Sequence, residues 1–161
     1  MGFDSETAFE SALIKCLVEE KGWKDGVIKY PTEKDLLDNW AKIIFENNRD
    51  IDRLGDFPMT DGEMAQIMGQ IAKLRTPLNL NGFINGGTVQ IIRDNENDTH
   101  NFKKTISLKI FDRNEIAAGR TRYQIAQQPK FKAKNSIYPN RRGDFCLLIN
   151  GMPVIHVELK K

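Results

Sequence analysis

Near the end of this 161-residue chain, Glu158-Leu159-Lys160 places an acid and an amine two positions apart in a strand-like stretch, and Asp144 stands upstream of them. The segment reads GDFCLLINGMPVIHVELKK. Asp144–Ile149 and Pro153–Lys160 have the composition of strands, and Asn150-Gly151 between them is a strong hairpin signal. Because strand side chains alternate, Val154, His156, Glu158 and Lys160 share one face of the second strand, and Ile155, Val157 and Leu159 share the other. Two carboxylates on such a hairpin can hold Mg2+ while leaving positions open for water and a phosphate oxygen; the metal then polarises the phosphorus and lowers the pKa of its water. A neighbouring lysine can orient or help deprotonate the attacking water and offset the charge of the transition state. The chemistry suggested is hydrolysis of a phosphodiester, with Asp144 and Glu158 as metal ligands and Lys160 as the catalytic amine.

That reading carries a geometric condition. In a strict two-residue turn at Asn150-Gly151, Ile149 pairs with Met152 and Asp144 faces away from Glu158. A three-residue loop pairs Ile149 with Pro153 and sets the two acids opposite each other, as would a bulge. The motif itself is common: Glu-x-Lys arises roughly once per couple of hundred residues by composition. Glu19-Glu20-Lys21 matches it too, but lies at the exposed end of a helical pattern with no partner acid on a neighbouring strand. The alternative for Glu158 and Lys160 is an ordinary solvated hairpin face.

The rest of the chain must position these groups. Residues 4–21 repeat Phe9, Leu13, Cys16 and Leu17 at helical spacing and stop at Gly22. A second helix is expected over 33–47, capped by Thr32 with Asp35 and burying Leu36, Leu37, Trp40, Ile43 and Ile44. A third is expected over about 61–75, with Thr60 and Glu63 as a capping box, Met64, Ile67, Met68 and Ile71 as its buried stripe, and Pro77 as its stop. Val27–Tyr30 reads as a short strand; Thr88–Arg93, His100–Phe111 and Arg122–Gln127 read as longer ones. Residues 79–87, rich in Asn and Gly, read as a loop. They are not a phosphate-binding loop, since no Gly-Lys-Ser/Thr ending follows. Residues 128–142 form a basic connector with Phe131 and Tyr138, suited either to a nucleic-acid neighbour or to plain solvation. The whole reads as one α+β domain.

Charge is unevenly spread. Residues 1–92 carry 10 Lys+Arg against 15 Asp+Glu, and residues 93–161 carry 14 against 7, so a basic second half supplies phosphate attraction. Apolar runs are too short to cross a membrane, and MGFDSETAFE lacks the features of a secretory leader, so a cytoplasmic location is expected. Cys16 and Cys146 belong to no Cys/His cluster and read as packing residues.

The run from Gly143 to Lys160 resembles the nuclease motif of the R subunit of type I restriction-modification enzymes: an Asp-bearing strand, an Asn-Gly-x-Pro turn and a Glu-x-Lys strand. Ser5-Glu6-Thr7-Ala8-Phe9-Glu10-Ser11-Ala12-Leu13-Ile14, followed by Gly22-Trp23, resembles the opening helix of that family. The resemblance implies a PD-(D/E)xK restriction-endonuclease-like fold, a mixed sheet with flanking helices, with Asp144 and Glu158 on the metal, Lys160 as the catalytic lysine and Glu10 as a further helical acid of the site, ahead of Glu6. Gly143 stands where many relatives carry proline. The family continues into a Gln-x-x-x-Tyr helix, another strand and ATP-driven translocase domains. Residues 1–161 are therefore expected to be the N-terminal nuclease domain of a larger subunit, with a fold incomplete at its C-terminal end, inactive in isolation and able to dimerise through an exposed sheet edge. The activity implied is Mg2+-dependent cleavage of double-stranded DNA, a type I site-specific deoxyribonuclease, in company with specificity and methylation subunits and with ATP used by the parent protein. Rival readings are a stand-alone repair or junction-resolving nuclease and a non-catalytic DNA-binding or subunit-docking module.

Overall fold

A computed structural model describes residues 5–132 and 141–160. The chain forms two compact units, Met1–Asp38 with Arg122–Lys161, and Asn39–Thr121. The first contains the hairpin. Its helix α1 (Glu6–Glu20) begins at Ser5, whose side chain accepts a hydrogen bond from the Ala8 N–H. A four-stranded mixed sheet follows the order β1 (Val27–Lys29), β4 (Tyr123–Gln127), β7 (Phe145–Ile149), β8 (Met152–Val157). β1 runs parallel to β4, while β4–β7 and β7–β8 are antiparallel.

The unbroken apolar run of β7 is explained by its central place, because a strand covered on both faces needs no polar alternation. Phe145 and Leu147 join Ile125 and Ile14 in one cluster, with Leu13, Leu17 and Val18 of α1 packed against it. Cys146 and Leu148 point the other way, joining Ala126 and Leu36 at the start of helix α2 (Glu33–Asn47). The reciprocal cap is present: Thr32 Oγ1 accepts from the Asp35 N–H at 3.2 Å and the Thr32 N–H donates to Asp35 Oδ2 at 2.8 Å. Two short strands, β5 (Lys130–Phe131) and β6 (Arg141–Arg142), make an antiparallel ribbon leading into β7. Tyr138 and the rest of residues 133–140 lie outside the described residues.

The second unit holds the later part of α2, helix α3 (Asp61–Ile71) and the antiparallel pair β2 (Thr88–Ile92) and β3 (Thr105–Lys109). Trp40, Ile43 and Ile44 are buried there, and β2 and β3 alternate buried and exposed positions. Glutamines of α3 occupy polar groups of β2: Gln66 exchanges two hydrogen bonds with the Ile92 backbone, and Gln70 donates to the Gln90 carbonyl at 2.6 Å. The Thr60–Glu63 capping box forms, but Glu63 does more than cap. Its carboxylate is fully buried and accepts from Arg93 Nη1 at 2.9 and 2.7 Å, while Arg93 Nε donates to Asp98 at 2.9 Å and Nη2 to the Phe57 carbonyl at 2.6 Å.

Several expectations give way here. Helix α3 ends at Ile71, and Met68 is 47% exposed. Pro77 does not stop a helix but starts one, α4 (Pro77–Ile84), in the expected loop; Thr76 caps it by accepting from the Asn79 N–H, and proline is well suited to the first turn, where its missing N–H has no intrahelical partner. The expected strand over His100–Phe111 is trimmed to β3, because residues 100–103 form turns, with Lys103 at φ 63°. A short helix, α5 (Arg113–Ala117), is capped by Asp112 and was not apparent from periodicity. Cys146 is buried and Cys16 only partly so, both free. Among the described residues, no helix is long and apolar enough to cross a membrane.

Candidate active site

The hairpin meets its geometric condition by a route that combines both registers considered above. Asn150 and Gly151 form a strict two-residue turn with φ of 49° and 84°, the left-handed pair expected of a type I′ turn. Ile149 therefore pairs with Met152 and Leu148 with Pro153. The register then shifts: Leu147 pairs with Ile155, Cys146 with His156 and Phe145 with Val157, leaving Val154 as the extra residue of a β-bulge. Carrying this register one residue further sets Asp144 across from Glu158. The turn is also fastened to β4, since buried Asn150 accepts from the Arg122 N–H through Oδ1 at 2.9 Å and returns its own N–H to the Arg122 carbonyl at 2.8 Å.

Glu158, Leu159 and Lys160 lie just beyond β8. Asp144 Oδ2 accepts a 2.5 Å hydrogen bond from the Leu159 N–H, so the first acid holds the segment bearing the second acid and the lysine. Leu159 and Val157 turn inward onto the Phe145–Leu147 cluster, and Glu158 and Lys160 are exposed. The expected apolar face is incomplete, because Ile155 beside the bulge is 51% exposed. Gly143 is buried against His156: a Cβ there would sit 2.6 Å from His156 Nε2.

Glu10 is only 3% exposed and sits on α1, where sequence reasoning put a site acid. Its Oε1 accepts from Gln127 Nε2 at 2.8 Å and Gln128 Nε2 at 3.2 Å, and its Oε2 from Gln128 Nε2 at 3.1 Å. Sequence reasoning missed both glutamines. The Gln128 backbone N–H donates to the Asp144 carbonyl at 2.7 Å, and Gln128 has φ 50°. Glu6 is exposed in the first turn of α1.

The donor chemistry suits a hard divalent cation, since Asp144 and Glu158 offer oxygens from facing positions. Among the described residues, no three His, Cys, Asp or Glu side chains gather into a metal-holding group. Two carboxylates would leave much of such a cation's shell to water rather than to an all-protein cage. A cleft of about 330 Å³ beside α1 and β1 is lined by Ile14, Lys15, Lys29 and Gln127 among others, but by none of Glu10, Asp144, Glu158 or Lys160.

Basic and aromatic groups flank the Asp144 end of the hairpin. Lys130 pairs with Arg142 across the β5–β6 ribbon, and the Arg142 guanidinium lies 5.1 Å from the ring centroid of Tyr30, itself 47% exposed. Phe131 meets His156 edge-on at 6.4 Å.

A mixed sheet with flanking helices and an acid-bearing hairpin is the architecture of the PD-(D/E)xK-like nucleases. Residues 4–161 match the family model described as type I restriction enzyme R protein N terminus, and the chain belongs to that family. It is 28% identical over 165 residues to a type I restriction enzyme endonuclease subunit of Staphylococcus saprophyticus, and 28% identical over 163 residues to one of Staphylococcus aureus strain COL. Each alignment covers 100% of this chain and 15% of the relative, so the chain spans about 15% of the length of these curated relatives.

Proposed function

We propose that residues 1–161 are the nuclease domain of a type I restriction R subunit and contribute Mg2+-dependent cleavage of double-stranded DNA to a complex with specificity and methylation subunits, alongside ATP-driven translocation by the parent protein. The observation that carries this reading is the Val154 bulge; its register, carried one residue beyond the Phe145–Val157 pair, would put Asp144 opposite Glu158 with Lys160 two residues on. Asp144 and Glu158 would hold the cation, and the cation when bound would polarise the scissile phosphate. Lys160, exposed at the end of that segment, orients the attacking water and offsets charge building on the phosphate oxygens. The basic ribbon with Lys130 and Arg142 lies next to Asp144 in the chain and gives the DNA backbone a phosphate-binding surface. The relatives, named as endonuclease subunits, favour this reading over a stand-alone junction-resolving nuclease.

The test is plasmid cleavage by the full-length subunit assembled with its partners, using Asp144→Ala, Glu158→Ala and Lys160→Ala. Each variant is expected to lose roughly 100-fold or more in cleavage rate. Retention of the parent rate to within about twofold by Asp144→Ala would remove the metal-site reading. β8 lies at one edge of its sheet, and the isolated domain is expected to dimerise through that edge, which sizing by light scattering tests.

A further inference from the structure

Glu10 presents a puzzle that the proposed cation site does not solve. A carboxylate 3% exposed needs compensation, since a buried charge is costly unless paired or hydrogen-bonded. Among the described residues Glu10 has no ion pair with any Lys or Arg; neutral side-chain amides supply its described hydrogen bonds. Three amide contacts already use most of the roughly four acceptor directions of a carboxylate. Nor does Glu10 fall into a metal-holding group with Asp144 and Glu158.

The sheet offers a reason for that separation. Glu10 projects from α1, which packs on the Phe145–Leu147 side of β7. Asp144, by alternation, belongs with Cys146 and Leu148 on the opposite side. One residue reaches both. Gln128 sends its side-chain amide to both oxygens of Glu10 and its backbone N–H to the Asp144 carbonyl. It does so from φ 50°, a left-handed conformation that is unfavourable for a non-glycine residue and therefore needs support from its surroundings.

We infer that Glu10 and Gln128 form a brace that positions Asp144: Glu10 is a positioning residue acting through Gln128 and does not itself bind the cation. The buried carboxylate fixes the Gln128 amide, and with it the left-handed backbone. That backbone aims the Gln128 N–H at Asp144, setting the entry to β7 from which the Asp144 side chain reaches the Leu159 N–H. Gln127, donating to Glu10 Oε1 at 2.8 Å, holds the carboxylate from the end of β4.

This inference rests on the nuclease reading above, and its test separates the two. In the full-length subunit assembled with its partners, plasmid cleavage is measured as a function of Mg2+ for Glu10→Gln, Glu10→Leu, Gln128→Met, the Glu10→Leu/Gln128→Met double variant and Asp144→Ala, with a thermal melt of each. Glu10→Gln removes the charge but keeps an acceptor oxygen for the glutamine amides, so its half-saturating Mg2+ concentration and rate stay within about threefold of the parent. Glu10→Leu and Gln128→Met each raise the half-saturating Mg2+ concentration or lower the rate by about 10–100-fold, the usual cost of losing a group that orients a ligand. The double variant is no worse than the poorer single, because both break one brace.

A purely structural role would lower the melting temperature without moving the Mg2+ dependence. Glu10→Gln as damaging as Glu10→Leu would make Glu10 a direct ligand and overturn the brace. Gln128→Met matching the parent in Mg2+ dependence and rate would overturn it as well. If Asp144→Ala also cleaves like the parent, the nuclease reading falls with it; if only Asp144→Ala is impaired, the brace alone falls.

Discussion

Removing one residue from the hairpin is expected to keep the acids aligned and do little harm, and removing two to break their alignment and do much. Val154 is the extra residue of the bulge, so deleting it leaves Leu147 opposite Ile155, Phe145 opposite Val157, and Asp144 across from Glu158. Deleting Val154 and Ile155 together consumes the bulge and one ladder position. Leu147 would then face His156, Phe145 would face Glu158, and Asp144 would face Leu159. A slip of this kind moves Glu158 by about 3.3 Å along the strand and turns it to the other face. Val157 and Leu159, which pack against the Phe145–Leu147 cluster, would turn out with it. Since about 1 Å of misplacement can cost a catalytic arrangement on the order of 100-fold, the double deletion should lose at least about 100-fold in DNA cleavage. The single deletion should stay within about tenfold of the parent, losing only the local twist of the bulge. The assay is plasmid nicking and linearisation by the full-length subunit with its partners, beside circular dichroism melts of the isolated domain. A single-deletion variant that melts like the parent yet no longer cleaves would refute the reasoning, as would a double-deletion variant that cleaves normally.

Replacing Arg93 with Met leaves the buried Glu63 and Asp98 carboxylates without their guanidinium, at a cost of about 3–5 kcal/mol. At about 2–4 °C per kcal/mol, melting should fall by about 6–20 °C in calorimetry, and a fall below about 2 °C would contradict the strut role. For Asp98, burial pushes the carboxyl up, but hydrogen bonds from Arg93 and Asn101 outweigh it and hold it below its ordinary 3.8. Its stabilisation is thus fully present above pH 3.8 and lost as pH falls through the lowered folded value. The stability gap between parent and Asp98→Asn in urea titrations should be constant near neutrality and shrink below that pH; a gap that widens on acidification would reverse the sign. Gly151→Ala forces a side chain into φ 84° at the turn and should cost about 1–2 kcal/mol in urea denaturation, whereas an unchanged midpoint would mean the turn relaxes elsewhere.

The features legible in the sequence were those whose cause is local. Thr32 with Asp35, Thr60 with Glu63, and Asn150-Gly151 each announce a cap or turn within four residues, and all three form. The strand composition of Asp144–Ile149 likewise foretold β7, though not that both of its faces are covered. Pro77 was misread because a proline can mark either the end of one helix or the first turn of the next, and the distinction rests on Thr76 acting as a cap. The trio Glu63, Arg93 and Asp98 was invisible, since two of its members meet only when α3 lies beside the end of β2. The bulge gave no sign either: nothing in Met152–Val157 marks Val154 as the residue left over. Among the candidate site residues, the relation of Asp144 to Glu158 turned on the hairpin register, which strand alternation alone left open. Gln127 and Gln128 could not be foreseen, because their partner lies 117 and 118 residues away.

The hydrogen bond from the Leu159 N–H to Asp144 gives the domain a built-in spectroscopic probe. Its acceptor is one of the two oxygens that a divalent ion would draw upon, and its donor is a backbone proton visible in a nitrogen–proton correlation spectrum. Withdrawal of electron density from Asp144 weakens the bond and shifts that resonance. Occupancy could therefore be followed at a single amide, in the isolated domain and without DNA, by titrating Mg2+ against a spectrum in which the amides of the Arg93 cluster stay still as an internal reference.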